Sequence, residues 1–332
     1  MQTFIIRRLL IGVVVLFVLS IAVFTLLSIV PGDPARERCG LSCQANQIQA
    51  IRHQLGLDKP RFPVDVTGGP PLFIQFHSKS QYGDWLKGVV TGDLGTSTYF
   101  YQPVTSAIRQ RLPVTLELMI LTMIFTVFVG IPFGVISAVF RNSPADYLVR
   151  VTAIFALSVP SFWVATLVLI VPVTLWGYAP PLGRTVSFLG NPVDNLRQFV
   201  PPAAVLALST TAGIMRLTRS SLLEVMRQDY MRTARAKGLR ERAVVFQHGL
   251  KNSLIPVVTV LGLQMAGLLG GALIIEQVFV LPGLGQYTFQ ELFHKDFPVV
   301  QTMTLYIGVV VILLNLAVDV SYAWFDPRIR YS

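Results

Sequence analysis

Six apolar runs, each about as long as the ~20 residues needed to cross a hydrocarbon core, confine this chain to a bundle of membrane-spanning helices. They cover residues 9–30, 114–140, 151–176, 200–218, 254–275 and 302–324. Only 13% of residues are charged, against roughly 25% in a soluble domain. The fourth run is the most dilute, because Ser209, Thr210, Thr211 and two prolines interrupt it and Arg216 sits near its end. The first is too long for the apolar core of a signal peptide. The residues behind it, Pro31-Gly32-Asp33-Pro34, lack a small-x-small cleavage pattern, so a retained span is expected. The expected fold is therefore an all-α polytopic membrane protein with six transmembrane helices. A basic lead and first span occupy residues 1–30, an external region 31–113, and a core of spans two to six 114–332.

Basic residues orient the spans. With the N-terminus inside, the cytoplasmic segments hold 15 Lys/Arg, and the two short external loops hold three, Arg184, Arg197 and Lys295. The long first external loop holds nine more, but long loops cross largely regardless of charge. Both termini are thus expected in the cytoplasm. The formal charge of +10 then lies on the inner face, and nucleic-acid binding is not needed to explain it.

The cytoplasmic segment 217–253, between spans four and five, holds the most informative stretch, YMRTARAKGLRERAVVFQHGLKNSLIP from Tyr230 to Pro256. Leu222, Met226, Tyr230 and Ala234 fall at helical spacing. Gly238 can take φ > 0 and end that helix. Leu239, Ala243, Phe246 and Leu250 then predict a second short amphipathic helix, with Pro256 in the first turn of the next. An apolar stripe flanked by Arg240, Glu241 and Arg242 suits a groove on another protein. The same pattern also suits a helix lying on anionic lipid.

These residues resemble the coupling loop of ABC-importer permeases, in the version found in dipeptide and oligopeptide transport. The match runs through Tyr230, Arg232, Thr233, Ala234, Ala236, Lys237 and Gly238, then His248, Asn252 and Pro256. The broader family has Glu-Ala-Ala where this chain has Arg232-Thr233-Ala234, a departure that fits the peptide subfamily. LSIVPGDPA at 27–35, LGLDKP at 55–60, GDLGTS at 92–97, PVTSAIRQRLPVTLEL at 103–118 and Asp326-Pro327-Arg328 extend the resemblance over nearly the whole chain. Residues 61–81 depart from it. The resemblance implies a subunit in a prokaryotic inner membrane that forms half a pathway for peptides. It implies a homologous second permease, two cytoplasmic ATPase subunits and an external solute-binding protein as partners, besides membrane lipid. Residues coupled to the ATPase would be Arg232, Thr233, Ala234, Ala236, Lys237, Gly238, Leu239, Ala243 and Phe246. An external gate or receptor-docking role would fall to Asp93, Glu276, Phe279, Pro282, Gly283 and Asp296. Related permeases carry nickel, glutathione or oligosaccharides, so these cargoes stand beside peptides.

The external region has its own signals. Residues 47–55 predict a short helix ended by Gly56, and 60–72, rich in Pro and Gly, a surface excursion. A helix over 104–111 should lead into span two. Cys39 and Cys43 suit either a small disulfide or two free thiols, and two ligands are too few for a zinc site. The apolar, bent segment 276–301 is compatible with a gate over the outer opening or with a packed loop in the aromatic belt. Glu276 could line the outer mouth or cap the Pro-Gly turn.

Catalytic signatures are missing from the sequence. There is no phosphate-cradling G-x-x-x-x-G-K-[ST], no H-E-x-x-H and no G-x-S-x-G. The expectation is a non-enzyme without cofactor or metal, driven by a separate ATPase. A self-contained carrier or channel would want charges at mid-membrane and inverted repeats. Glu117 and Asp319 instead fall near the ends of spans, where snorkelling or a hydrogen bond within the bundle accounts for them.

Overall fold

The computed structural model describes residues 2–39, 43–67, 73–76, 79–183 and 185–325. The Gly/Pro stretch 68–72, Arg184 and the terminal Asp326-Pro327-Arg328 lie outside the described residues. In chain order come α1 (Gln2–Ile29), α2 (Pro34–Cys39), α3 (Ala45–Gln54), strands β1 (Val64–Thr67) and β2 (Phe73–Phe76), and α4 (Gln81–Thr91). Next is α5 (Val104–Phe125), which runs through a π-helical turn, Thr126–Gly130, into α6 (Ile131–Val139). Then follow α7 (Pro144–Ser158), α8 (Ser161–Trp176), α9 (Pro192–Val225), α10 (Asp229–Ala236) and α11 (Glu241–Ala243). A second π-helical segment, Val244–Leu250, leads into α12 (Lys251–Val278), and α13 (Leu284–Phe293) and α14 (Phe297–Phe325) complete the chain.

Five helical segments are long and apolar enough to cross a membrane: Ile5–Ile29, Val104–Val139, Pro192–Val225, Glu241–Val278 and Phe297–Val320. A sixth apolar stretch is the pair α7 and α8, bent by 99° as in a broken span or a re-entrant loop. A single span over 151–176 is thus corrected to two arms. Pro160 has no N–H and excludes the helical region for its predecessor, and Val159 is accordingly extended at φ −89°, ψ 128°. The run most diluted by polar residues, the fourth, becomes the 34-residue α9, with 56% of its core window buried. Its polarity reflects protein rather than lipid surroundings.

The chain divides into two compact units. One comprises Leu112–Gln286 with the two chain ends; the other comprises Ile6–Arg111 and Tyr287–Val310. In the first unit α9 is the axis, packed by α6, α7, α8 and α12. Gly130 and Gly134 bring α6 against it. A Cβ on Gly134 would lie 2.6 Å from Thr218 Cβ and 2.8 Å from the Met215 carbonyl, so the helices touch at backbone distance. Ile214, Val257 and Leu261 close the α9–α12 seam, and Val135, Ala138, Leu222 and Val245 form a second cluster. Hydroxyls in this interior bond locally: Thr126 Oγ1 lies 3.0 Å from Thr210 Oγ1, and Thr210 donates to the Ala207 carbonyl.

In the second unit, Phe24 of α1, Phe62 and Tyr82 of α4 form an aromatic cluster with ring centroids 5.1–5.7 Å apart. Tyr82 hydroxyl and Ser20 Oγ are 2.8 Å apart, and Trp85 Nε1 donates to Thr302 Oγ1 of α14 at 3.0 Å. Gly308 of α14 admits Leu19 and Leu16 of α1. The short external helix is found as α3, followed by Gly56 at φ +65°. Cys39 and Cys43 are joined as a disulfide. The structure adds detail to the external region. Residues 64–67 and 73–76 pair as an antiparallel ladder, Val64 opposite Phe76, where only a surface excursion was expected. The helix expected over 104–111 leads into span two as the first two turns of α5.

Candidate functional site

The segment after α9 turns sharply twice. Val225 ends α9, and Gln228, extended at φ −68°, ψ 151°, starts α10. The stripe Leu222-Met226-Tyr230-Ala234 is therefore split between two helices. Met231 and Ala234 are buried against Val244, with Val225 and Met226 beside them. Lys237 closes α10 through its N–H to the Thr233 carbonyl, 3.1 Å, and Gly238 follows at φ +76° with its N–H on the Arg235 carbonyl, 2.9 Å. Gly238 thus occupies the left-handed conformation in which a side chain is disfavoured. Across this elbow the Arg235 guanidinium grips Glu241 with two bonds, 3.1 and 2.9 Å.

Beyond the elbow the expected separate amphipathic helix is corrected. Helix α11, the π-helical segment and α12 form one continuous helix from Glu241 to Val278, and Pro256 lies inside it. Gly249 permits this path, since a Cβ there would meet Leu222 at 3.2 Å and Met231 at 3.4 Å. Asn252 Nδ2 donates to the Tyr230 hydroxyl at 3.0 Å and ties α10 to the root of α12. The structure brings the motif residues Tyr230, His248 and Asn252 together, since the same amide also reaches the His248 carbonyl.

Most of the coupling candidates face outward. Arg232, Thr233, Ala236, Lys237 and Gly238 are exposed, Ala243 is half-buried and Ala234 is buried. Leu239 is 42% and Phe246 57% exposed, two large apolar side chains that follow Gly238. Arg240 and Arg242 beside them are exposed.

The outer candidates sit mostly inside the protein. In the first unit, Glu276 at the end of α12 is fully buried. Its Oε1 accepts from Thr115 Oγ1 at 2.6 Å and its Oε2 from the Gln286 N–H at 3.0 Å, while the Leu284 N–H donates to Thr115 Oγ1 at 2.9 Å. The Glu276 carboxylate thus caps the first turn of α13, directly after Pro282-Gly283. Gly283 is required beside it, because a Cβ there would overlap the carboxyl group, and one at Gly285 would lie 2.5 Å from Leu273 Cα. Phe279 is 2% exposed and Pro282 half-buried. Val280 between them adopts φ +51°, a conformation that costs a β-branched residue about 1–2 kcal/mol.

In the second unit Asp296 is buried and accepts from the Thr98 N–H at 2.5 Å and Thr98 Oγ1 at 2.9 Å. Glu291 near it is fully buried, and neither carboxyl oxygen receives a well-formed hydrogen bond, although the Tyr287 and Ser97 hydroxyls lie close. Burial pushes the Glu291 carboxyl above its ordinary value, the Tyr287 hydroxyl opposes this, and the nearby Asp296 adds to it. Burial also pushes the Tyr287 phenol up. Arg111 lies over the Tyr287 ring, 4.5 Å from its centroid. Asp93 is exposed and accepts from the Gly95 N–H within its own turn.

Sequence reading missed one further group. Asp146, at the start of α7, is fully buried, and Arg219 of α9 holds both its oxygens at 2.9 Å. Ser137 Oγ and the Asn142 N–H complete its shell at 2.5 and 3.0 Å. The only signal available was an acid and an arginine near the same ends of two spans. Glu117 meets Asn195 of α9, a hydrogen bond within the bundle.

Known proteins agree with this architecture. Residues 130–331 match the family described as binding-protein-dependent transport system inner membrane component, and residues 1–119 the N-terminal part of such components. The oligopeptide transport system permease protein AppB of Bacillus subtilis is 38% identical over 337 residues, covering all of both chains. The dipeptide permease DppB of Alkalihalophilus pseudofirmus is 35% identical and the glutathione permease GsiC of Escherichia coli 38%, again over full lengths. Among solved structures, the inward-facing MetNI methionine ABC transporter shares the fold with TM-score 0.54 at 18% identity, over 67% of this chain and 97% of that one.

Proposed function

The chain belongs to the binding-protein-dependent transport system inner membrane component family, and from that premise we propose that it forms half the pathway of an ATP-driven importer for di- and oligopeptides. A homologous permease supplies the other half. Two ABC ATPases grip the cytoplasmic side, an external solute-binding protein delivers the cargo, and this chain itself performs no chemistry. Both chain ends face the cytoplasm in this reading, as the distribution of Lys and Arg favours.

One observation carries the proposal. Leu239 and Phe246 stand exposed just after a left-handed glycine, in the basic stretch where α10 turns into the root of the next span. The buried Met231–Val244 contacts and the Tyr230–Asn252 bond anchor this elbow to α12. A push on the exposed apolar pair is therefore delivered to a span. ATP binding at one end and cargo at the other bias the same two-state element. Peptide cargo is favoured by relatives named for oligopeptides and dipeptides at 38% and 35% identity, and a glutathione permease at 38% keeps that tripeptide in view.

The test is co-expression with the partner permease, the ATPases and the binding protein. Phe246→Asp with Leu239→Asp is expected to insert normally yet lose co-purification of the ATPases. Mass spectrometry of the ligand retained by the binding protein should find peptides. Full ATPase capture by the double variant would refute the docking role, and a retained metal or sugar would refute the cargo.

A further inference from the structure

We propose that the seam between α7 and α9 holds one anionic phospholipid, with its phosphate against Arg150, Arg216 and Arg219 and an acyl chain in the apolar cleft alongside; this rests only on the chain being a multi-pass membrane protein. The three arginines and Ile154 line a hollow of about 250 Å³. Asp146 neutralises only Arg219, and it fixes that guanidinium in place with Nε and Nη2. No carboxylate among the described residues pairs with Arg150 or Arg216, both exposed. Arg150 also packs over the Tyr147 ring, 5.5 Å from its centroid. Two uncompensated positive charges and a third held rigidly make a site for a phosphate group, as basic pockets between spans do.

A second cavity identifies the anion as a lipid. It has a volume of about 470 Å³, and its walls come largely from the same two helices, Ala153 and Ala156 of α7 and Leu208, Ala212 and Met215 of α9, with Phe125, Val129 and Val164 of neighbouring elements completing it. On each helix these residues continue the arginine side toward the middle of the bilayer. From Arg150 to Ala156 is six residues, ~9 Å of helix, about a third of a ~30 Å hydrocarbon core. Ile154 and Phe155 at the rim are 57% and 65% exposed. A soluble anion would use the arginines and leave the cleft unused; an apolar helix would use the cleft and leave the arginines unused. A phospholipid uses both.

The experiment takes the whole assembled transporter, delipidated in detergent, and titrates it with phosphatidylglycerol or phosphatidylcholine while counting retained lipids by native mass spectrometry. The expected result is one tight phosphatidylglycerol per copy of this chain. Arg150→Gln with Arg216→Gln should weaken it about 30-fold, with phosphatidylcholine unaffected. If that variant fails to assemble, Ala156→Leu keeps the arginines and narrows the cleft, and it should lose the lipid as well. Equal retention of both lipids, or unchanged binding in both variants, overturns the proposal. So does displacement by millimolar inorganic phosphate alone, which would mark a soluble-anion site. Crosslinking of Ile154→Cys to a partner subunit would give the cleft to a protein helix and overturn it too. None of these readouts involves transport, so a complex that imports peptides but binds no such lipid would sink this inference alone.

Discussion

Replacing Gly238 with Val should uncouple ATP hydrolysis from transport while the subunit still inserts. A Cβ built on Gly238 meets nothing within 4 Å, so a substitution there has no clash to relieve. The entire penalty is in the backbone, at φ +76°. That penalty is about 1–2 kcal/mol for an ordinary residue and greater for a β-branched one. The present elbow is thereby disfavoured by a factor of about 5–30. The Arg235–Glu241 pair that spans the elbow cannot hold it, since side chains 38% and 58% exposed form a pair worth about 0–1 kcal/mol. The strain is relieved by turning the chain after Lys237, which re-aims Leu239 and Phe246. Side-chain volume and backbone conformation make opposite predictions here. Asn is larger than Ala but tolerates the left-handed region. The expected order of coupled activity is thus Gly, then Asn, then Ala, then Val. Reconstituted complexes would be assayed for ATPase stimulation by loaded binding protein and for peptide uptake. Charge reversal at Arg240 or Arg242 should be milder, whereas a helix that merely lay on lipid would show the reverse. Full stimulation and uptake by an assembled Gly238→Val complex, or an Asn variant worse than Val, would refute the argument.

Two further outcomes concern the buried carboxyl groups of Glu276 and Glu291. Gly283→Ala forces the Glu276 carboxyl off Thr115 and the Gln286 amide, leaving buried groups unsatisfied at about 1–3 kcal/mol each. Thermal unfolding in detergent should show a lowered midpoint, and Glu276→Ala should mask most of the effect, because the two residues share one contact. Glu291 gives a pH dependence. Its carboxyl is raised in the folded protein above the ordinary 4.5, so its contribution is complete at lower pH and is lost as pH rises through the folded value. Tyr287, Asp296, Ser97 and Arg111 are the groups that face it. Hydrogen exchange of α13 amides should quicken with rising pH beyond the intrinsic rate, and Glu291→Gln should flatten that rise.

The sequence made the spans and the elbow legible because both depend on local chemistry. Apolar length sets a crossing, and a glycine after a helical stripe sets a left-handed cap. The bend at Val159-Pro160 escaped because apolar character continues through it, although the proline itself was a sufficient signal. The ladder of 64–67 with 73–76 was also within reach, as V-D-V-T and F-I-Q-F flank a sequence rich in Gly and Pro. Other features had no local signature. Thr115 and Glu276 are 161 residues apart, and Asp146 and Arg219 are 73 apart. Their pairing is a property of helix packing, as is the requirement for Gly134 and Gly249 at backbone approach. For Phe279 and Asp296 a gate and a packed loop were equally compatible with the sequence, because their burial comes from elements distant in sequence.

The π-helical segment Val244–Leu250 connects the elbow to the fifth span without a joint. A π turn closes i→i+5 rather than i→i+4 and so stores one residue more than the α-helical turn it replaces. Converting it back to α-helix would release that residue into the chain on its N-terminal side. One residue of α-helix corresponds to ~100° of rotation and 1.5 Å of rise. A shift of that one residue would therefore turn the elbow about the axis of α12 while the amides of the segment exchange one carbonyl for the next and stay hydrogen-bonded.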